Sequence, residues 1–283
     1  MKHFRPRLSR RAFWVLCALL VCLRLALTGF QQAYIWVGGA PLDDELMFRA
    51  ANHITAGQWL GAYDYLTLSK AMFFPVWLAL LHALHLPYLI SGAALWCGAA
   101  LLAAFAFSTL WRKKDPAHGR VLTLGLFAVL AFLPSSWAAY TLRVYRDNIF
   151  PALCLYFFAG MAGMALRAVF TPEKPLWPWL AAAGAGLACG YLDREDAGLF
   201  LLPFAAAATV IVAVVLAGKR RWKALAAQVI PYVMLGVGVL TFCTLNYTHY
   251  GVFALSDFSE GSFAAAMGAM MRVDTDSTAP YLS

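Results

Sequence analysis

Apolar residues in this chain fall in long unbroken runs rather than in the spaced stripes of a soluble fold. A bilayer core takes about 20 apolar residues per helix. Seven runs reach or approach that length: 12–37, 88–111, 121–141, 149–169, 176–192, 197–217 and 224–247. The pattern predicts an all-α polytopic membrane protein with about seven transmembrane helices. One further run, Met72 to Pro87, is shorter and holds His82 and His85. Whether it crosses decides the side on which every later segment lies.

Cytoplasmic loops carry an excess of Lys and Arg. If Met72–Pro87 does not cross, the N-terminus "MKHFRPRLSRR", the loop "RKKDPAHGR", the Arg167–Lys174 linker and "KRRWK" share the cytoplasmic face. Only Arg49, Lys70, Arg143, Arg146, Arg194 and Arg272 then face outward. Crossing would split the basic clusters between both faces. Met72–Pro87 is therefore expected to be an interfacial or re-entrant helix on the outer side. Residues 1–250 form the transmembrane domain, with juxtamembrane helices in the first outer loop, 38–87. Residues 251–283 read as an outer-face tail, the start of a further C-terminal region.

Composition agrees. At 62% hydrophobic and 13% charged, with mean hydropathy +0.68, the chain carries about half the charge of a soluble domain. Its net charge of +8 lies in short clusters between apolar runs, which excludes a nucleic-acid-binding stripe. The six cysteines lie inside apolar stretches without a CxxC pair and read as small core residues. The run 12–37 is too long for a signal-peptide core and lacks a small-residue cleavage site, so it reads as an uncleaved first span.

Sidedness sorts the acids as well. Of 14 Asp and Glu residues, only Asp115 and Glu173 stay cytoplasmic. In "APLDDELMFRAANHITAGQW", Asp43, Asp44 and Glu45 directly follow the first span. An Asp43 N-cap would open a helix with Leu46, Met47, Ala50, Ala51 and Ile54 as its apolar stripe, and Gly57 would end it. All three acids can be read as cap and dipole complement. One cap needs one acid, however, and extra carboxylates at a membrane surface call for a partner or a proton. Lys70, the Arg143, Arg146 and Asp147 of "LRVYRDN", and the Asp193–Asp196 of "LDRED" arrive on the same side in short loops. A planar guanidinium binds oxyanions bidentately, and lipid phosphates sit at that depth. The combination predicts a site for an anionic lipid substrate beside a carboxylate base. Positive side chains or a divalent ion would stabilise charge developing on the phosphate.

The order of features is a basic N-terminus, one span, an outer Asp-Glu, a helix ending near Gly-x-Trp, and Lys70 before an interfacial helix with Pro75 and Trp77. This resembles the GT-C superfamily of polytopic glycosyltransferases, especially the protein O-mannosyltransferase and lipid A aminoarabinose transferase branch. "DELMFRAANHITAGQW" is similar to that family's first-loop Asp-Glu-x-x-Tyr…Gly-x-Trp pattern, with Phe48 in the aromatic place. The family's Lys-Pro-Pro element is here "SKAMFFPVW", with the prolines displaced.

The resemblance implies a GT-C-like fold in a bacterial-type inner membrane, with the N-terminus cytoplasmic. It implies a polyprenyl-phosphate sugar as donor and a glycan, lipid or protein as acceptor. Asp44 would be the catalytic Asp, the base that takes the acceptor proton, and Glu45 its acidic neighbour. Asp147 would be the second outer-loop acid and the metal ligand if a divalent ion takes part. Arg194 would touch the lipid phosphate together with Lys70 and Arg146, with Asp43 beside them in the substrate site. Two other classes compete: a GT-C-like protein that binds a lipid-linked sugar without transferring it, and a transporter. A transporter would need ionisable residues deep in its spans, and apart from Arg24 the spans are nearly free of charge. Arg24 is expected to face the bundle and pair with a polar group. Pro134 is expected to kink the third span, "AAAGAGLACG" to pack tightly against a neighbour, and Ser262–Val273 to form an amphipathic helix.

Overall fold

A computed structural model describes residues 6–36, 38–111, 115–260 and 262–273. Lys2, Arg5 and Arg112, Lys113 and Lys114, which contribute to the basic clusters, lie outside the described residues, as does the tail 274–283. The chain is helical: α1 (Arg10–Thr28), α2 (Pro41–Thr55), α3 (Phe73–Ala83), α4 (Tyr88–Ser108), α5 (Pro116–Ala131), α6 (Ala139–Leu142), α7 (Phe150–Phe170), α8 (Trp177–Asp193), α9 (Ala197–Gly218), α10 (Trp222–Ala227), α11 (Ile230–Tyr250), α12 (Asp257–Glu260) and α13 (Ser262–Met270). Among the described residues no strand forms, and the one isolated β-bridge joins Tyr34 to Arg143 in parallel.

Five of these helical stretches, α1, α4, α7, α9 and the α10–α11 segment Trp222–Tyr250, are long and apolar enough to cross a membrane. The 16 and 17 residues of α5 and α8 extend about 24–26 Å at 1.5 Å per residue, somewhat short of the ~30 Å hydrocarbon core. The 11 residues of α3 reach only about 16 Å, so this helix is too short to cross, as expected.

Two boundaries differ from the sequence reading. The first helix stops at Thr28, well before Val37, because Gly29 and the polar Gln31–Gln32 pair end the apolar helix and free Tyr34 for its bridge. The third run breaks rather than kinks. Pro134 has no N–H to continue α5, and Leu133 before it is extended (φ −60°, ψ 127°). A 3-10 turn, Pro134–Trp137, follows before α6.

The bundle has two chemically distinct ends. At one, Arg7 lies 3.4 Å from Asp115, Arg120 Nε donates to the Leu8 carbonyl at 2.7 Å, and Lys219 Nζ donates to the carbonyls of Ala168 and Val169 at 2.8 Å. A cleft lined by Thr109, Pro116, Arg167 and Lys174 joins these basic segments. The opposite end gathers α2, α3 and the turns 143–149 and 194–196. The platform beneath those turns is the α7–α8 pair. A Cβ on Gly160 or Gly186 would collide with the backbone of the facing helix, which is the close packing expected of "AAAGAGLACG".

Candidate functional site

The acids after the first span do not cap the helix they open. Pro41 occupies the first position of α2, where a missing N–H costs nothing, and the residue before it, Ala40, offers no side-chain cap. Asp43 therefore lies in the first turn rather than at the N-cap. The helix ends near Gly57, whose φ of 75° is the left-handed stop expected there.

Asp44 turns inward and is 1% exposed. Its Oδ2 accepts the Trp36 amide at 2.6 Å, and its Oδ1 accepts Arg143 Nε at 2.9 Å and Arg143 Nη2 as well. A local backbone pairing brings Arg143 there: the Tyr34 amide donates to Leu142 at 3.1 Å, and the Val144 amide to Tyr34 at 2.9 Å. In the extended segment that results, residues two apart share a face. The Arg143 guanidinium accordingly lies 4.3 Å from the Tyr145 ring centroid.

Tyr145 links this pair to the next. Its hydroxyl accepts from Arg146 Nη2 at 2.9 Å and donates to Asp43 Oδ2 at 3.2 Å, while Lys70 Nζ lies 3.4 Å from Asp43 Oδ1. Arg146 is buried. Its Nη1 donates to both Glu195 oxygens, at 2.9 and 3.0 Å, and to the Asp193 carbonyl at 3.0 Å. Glu195 also accepts the Ala71 amide, at the entrance to α3. Arg194 pairs with Asp147 at 3.0 Å and Asp196 at 3.1 Å, 5.1 Å from the Phe150 ring. The carboxylate of Asp193 is fully buried, with neither oxygen hydrogen-bonded among the described residues.

Burial pushes the Glu195 carboxyl up, but the Arg146 guanidinium and the Ala71 amide outweigh it and hold the group below its ordinary value. Burial also pushes the Tyr145 hydroxyl above its ordinary value, so it remains a neutral donor and acceptor between Arg146 and Asp43.

Six of the seven site residues read from the sequence thus meet at one end of the bundle: Asp43, Asp44, Lys70, Arg146, Asp147 and Arg194. The seventh, Glu45, is exposed and points away, forming an i,i+4 pair with Arg49 at 3.7 Å. Access separates the six. Side chains of Asp43, Lys70 and Arg194 keep about a third of their surface (35%, 33% and 32%), whereas Asp44 and Arg146 are closed off. Asp147 is held by Arg194, and among the described residues no three His, Cys, Asp or Glu side chains gather as a metal site. Tyr145 was missed as a connector, and Arg143 as the partner of Asp44. The i, i+2 spacing of Arg143 and Tyr145 in "RVY" was the available signal.

The far side of the site is latched from α11. Trp59 Nε1 donates to Asn246 Oδ1 at 2.9 Å, and the Tyr250 hydroxyl to the Gly61 carbonyl at 2.8 Å. The Asp257 amide donates to Leu68 at 2.9 Å, so the segment after α11 folds back onto the first outer loop. Compared with known proteins, the chain matches no family model, no curated protein and no solved structure.

Proposed function

We propose that this chain is the transmembrane part of a GT-C-type glycosyltransferase in a bacterial-type inner membrane, with a cytoplasmic N-terminus and an active site on the outer face. The donor is a polyprenyl-phosphate sugar, and seven helices cross, with α5 and α8 included. One observation carries the reading: three separate loops deliver two neighbouring ionic clusters, Lys70–Asp43–Tyr145–Arg146–Glu195 and Arg194–Asp147–Asp196, to one end of an apolar bundle.

In this reading the reachable carboxylate, Asp43, takes the proton from the acceptor hydroxyl as that oxygen attacks the anomeric carbon. The bond from that carbon to the phosphate oxygen breaks, and polyprenyl phosphate leaves with the electron pair. Lys70 and Arg194, the exposed cations of the network, stabilise the phosphate charge. Asp44 and Arg143 act as positioning residues that hold the first loop to the 143–149 turn. A second reading draws on the pairing itself: each of Lys70, Arg146 and Arg194 already holds a carboxylate. This suits a protein that binds the lipid-linked sugar without transferring it.

The test is binding of a polyprenyl-phosphate sugar to purified protein, followed by release of polyprenyl phosphate once a cell-envelope extract is added as the source of the acceptor hydroxyl. Transfer predicts that Arg194→Ala weakens binding, while Asp43→Asn binds normally and releases nothing. Binding by the wild type without any release favours the non-transferring reading. Absence of binding removes both.

A further inference from the structure

Arg24 is 3% exposed, near the end of α1, and among the described residues it has no carboxylate partner. Its Nη2 donates to the Ser136 carbonyl at 2.7 Å, freed by the break at Pro134, and its guanidinium stacks 3.5 Å from the Trp137 ring centroid. Nε and Nη1 are buried with no acceptor among the described residues. A guanidinium is always charged, and a buried charge without a counter-ion is strongly disfavoured. Each arginine and lysine of the outer clusters, Lys70, Arg143, Arg146 and Arg194, has a carboxylate partner; Arg24 has only a carbonyl and a ring.

Arg24 also lines a cavity between α1, α4 and the 135–142 segment. Its walls include Thr28, Gln31, Tyr140, Thr141 and Asn148. The Asn148 Oδ1 on this wall has no hydrogen bond among the described residues, and its amide nitrogen donates to the Thr141 carbonyl. The cavity thus combines one uncompensated positive charge with hydroxyl and amide groups, beneath the outer ionic network and separate from it.

We propose that this cavity is a binding site for a phosphate-class oxyanion, drawn there by the uncompensated charge of Arg24. The proposal rests on the surroundings of Arg24 alone and does not depend on sugar transfer. A guanidinium presents its donors as a fork that matches two oxygens of a tetrahedral anion. Such an anion supplies the missing negative charge and the missing acceptors together. The tip of Gln31 supplies a further amide at the rim.

The purified protein is titrated with inorganic phosphate and, separately, with dodecyl phosphate, and both binding and thermal unfolding are followed. Saturable binding of dodecyl phosphate alone identifies a lipid head group as the natural source; equal binding of inorganic phosphate identifies the free anion. Arg24→Gln should weaken whichever probe binds by about tenfold or more, while Arg7→Gln, which removes a charge at the basic end, leaves that binding unchanged. Ala93→Leu fills the cavity without altering Arg24, so it should abolish binding even if the Arg24 variant fails to fold. Failure of both probes to bind the wild type overturns the proposal. So does equal binding by the wild type and Ala93→Leu, or by the wild type and Arg24→Gln. Failure of the sugar-transfer assay has no bearing on these results.

Discussion

Arg143 and Asp44, 99 residues apart in sequence, form a buried ion pair that joins the first outer loop to the turn before α7. The carboxylate is completed by the Trp36 amide and the guanidinium by the Tyr145 face. This answers why three acids follow the first span. Asp44 ties two loops together, Asp43 faces the accessible part of the network, and Glu45 pairs along its own helix.

Breaking one half of that pair leaves a buried charge alone. Arg143→Met should destabilise the protein by about 3–5 kcal/mol. The double variant Asp44→Leu, Arg143→Met should recover much of that loss, because no charge is then stranded. Thermal unfolding in detergent decides; equal destabilisation by the single and double variants would mean the pair does not carry this junction.

Glu195 gives the acidic end a pH dependence. Its carboxyl is held below its ordinary value, so the unfolded state binds the proton more readily. The stabilisation is complete above the ordinary glutamate value of about 4.3 and is lost as pH falls through the lower folded value. Melting temperature should therefore drop more steeply below about pH 4.3 in the wild type than in Glu195→Gln.

The α7–α8 contact has no room for a side chain. Gly160→Leu should cost about 1–3 kcal/mol through overpacking, since its Cβ meets the backbone at Ala183. Gly236 on α11 has open space around it, and Gly236→Leu should be tolerated. Comparable losses from both substitutions would show that the close approach at Gly160 does not control the effect.

Orientation is open to direct chemical test. Tyr65→Cys lies on the exposed first outer loop and Trp222→Cys at the basic end, with the native side chains 78% and 63% exposed. A membrane-impermeant thiol reagent applied to intact cells should label the first and spare the second, measured against the unsubstituted chain. The opposite labelling would invert the proposed topology.

Long apolar runs and clustered charges made the helical bundle legible, because both signals are local. So was α3 as a separate short helix, because Met72–Pro87 is shorter than the apolar runs around it. The helix breaks were harder. Gly29 and Pro134 interrupt runs whose average hydropathy continues past them, so composition alone overextends both helices. Asp44 could be recognised as a site residue, but its partner depends on the Tyr34–Arg143 bridge, a pairing across more than a hundred residues that no periodicity announces. The charges themselves pointed to a common end; the pairing among them came from backbone geometry.

The backbone contact between α7 and α8 has a mechanical consequence. With Gly160 and Gly186 wedged against the facing chain, sliding one helix past the other would unpack both, so the turns above them travel as a single rigid deck. Arg146 and Arg194 ride on that deck, whereas Asp43, Asp44 and Lys70 belong to the loop after α1, which is moored to it by the Arg143–Asp44 ion pair, by hydrogen bonds from the Tyr145 hydroxyl to Asp43 and from the Ala71 amide to Glu195, and by one backbone bridge. Lifting α2 and α3 off this fixed floor therefore requires breaking Arg143–Asp44, the bolt between the two parts.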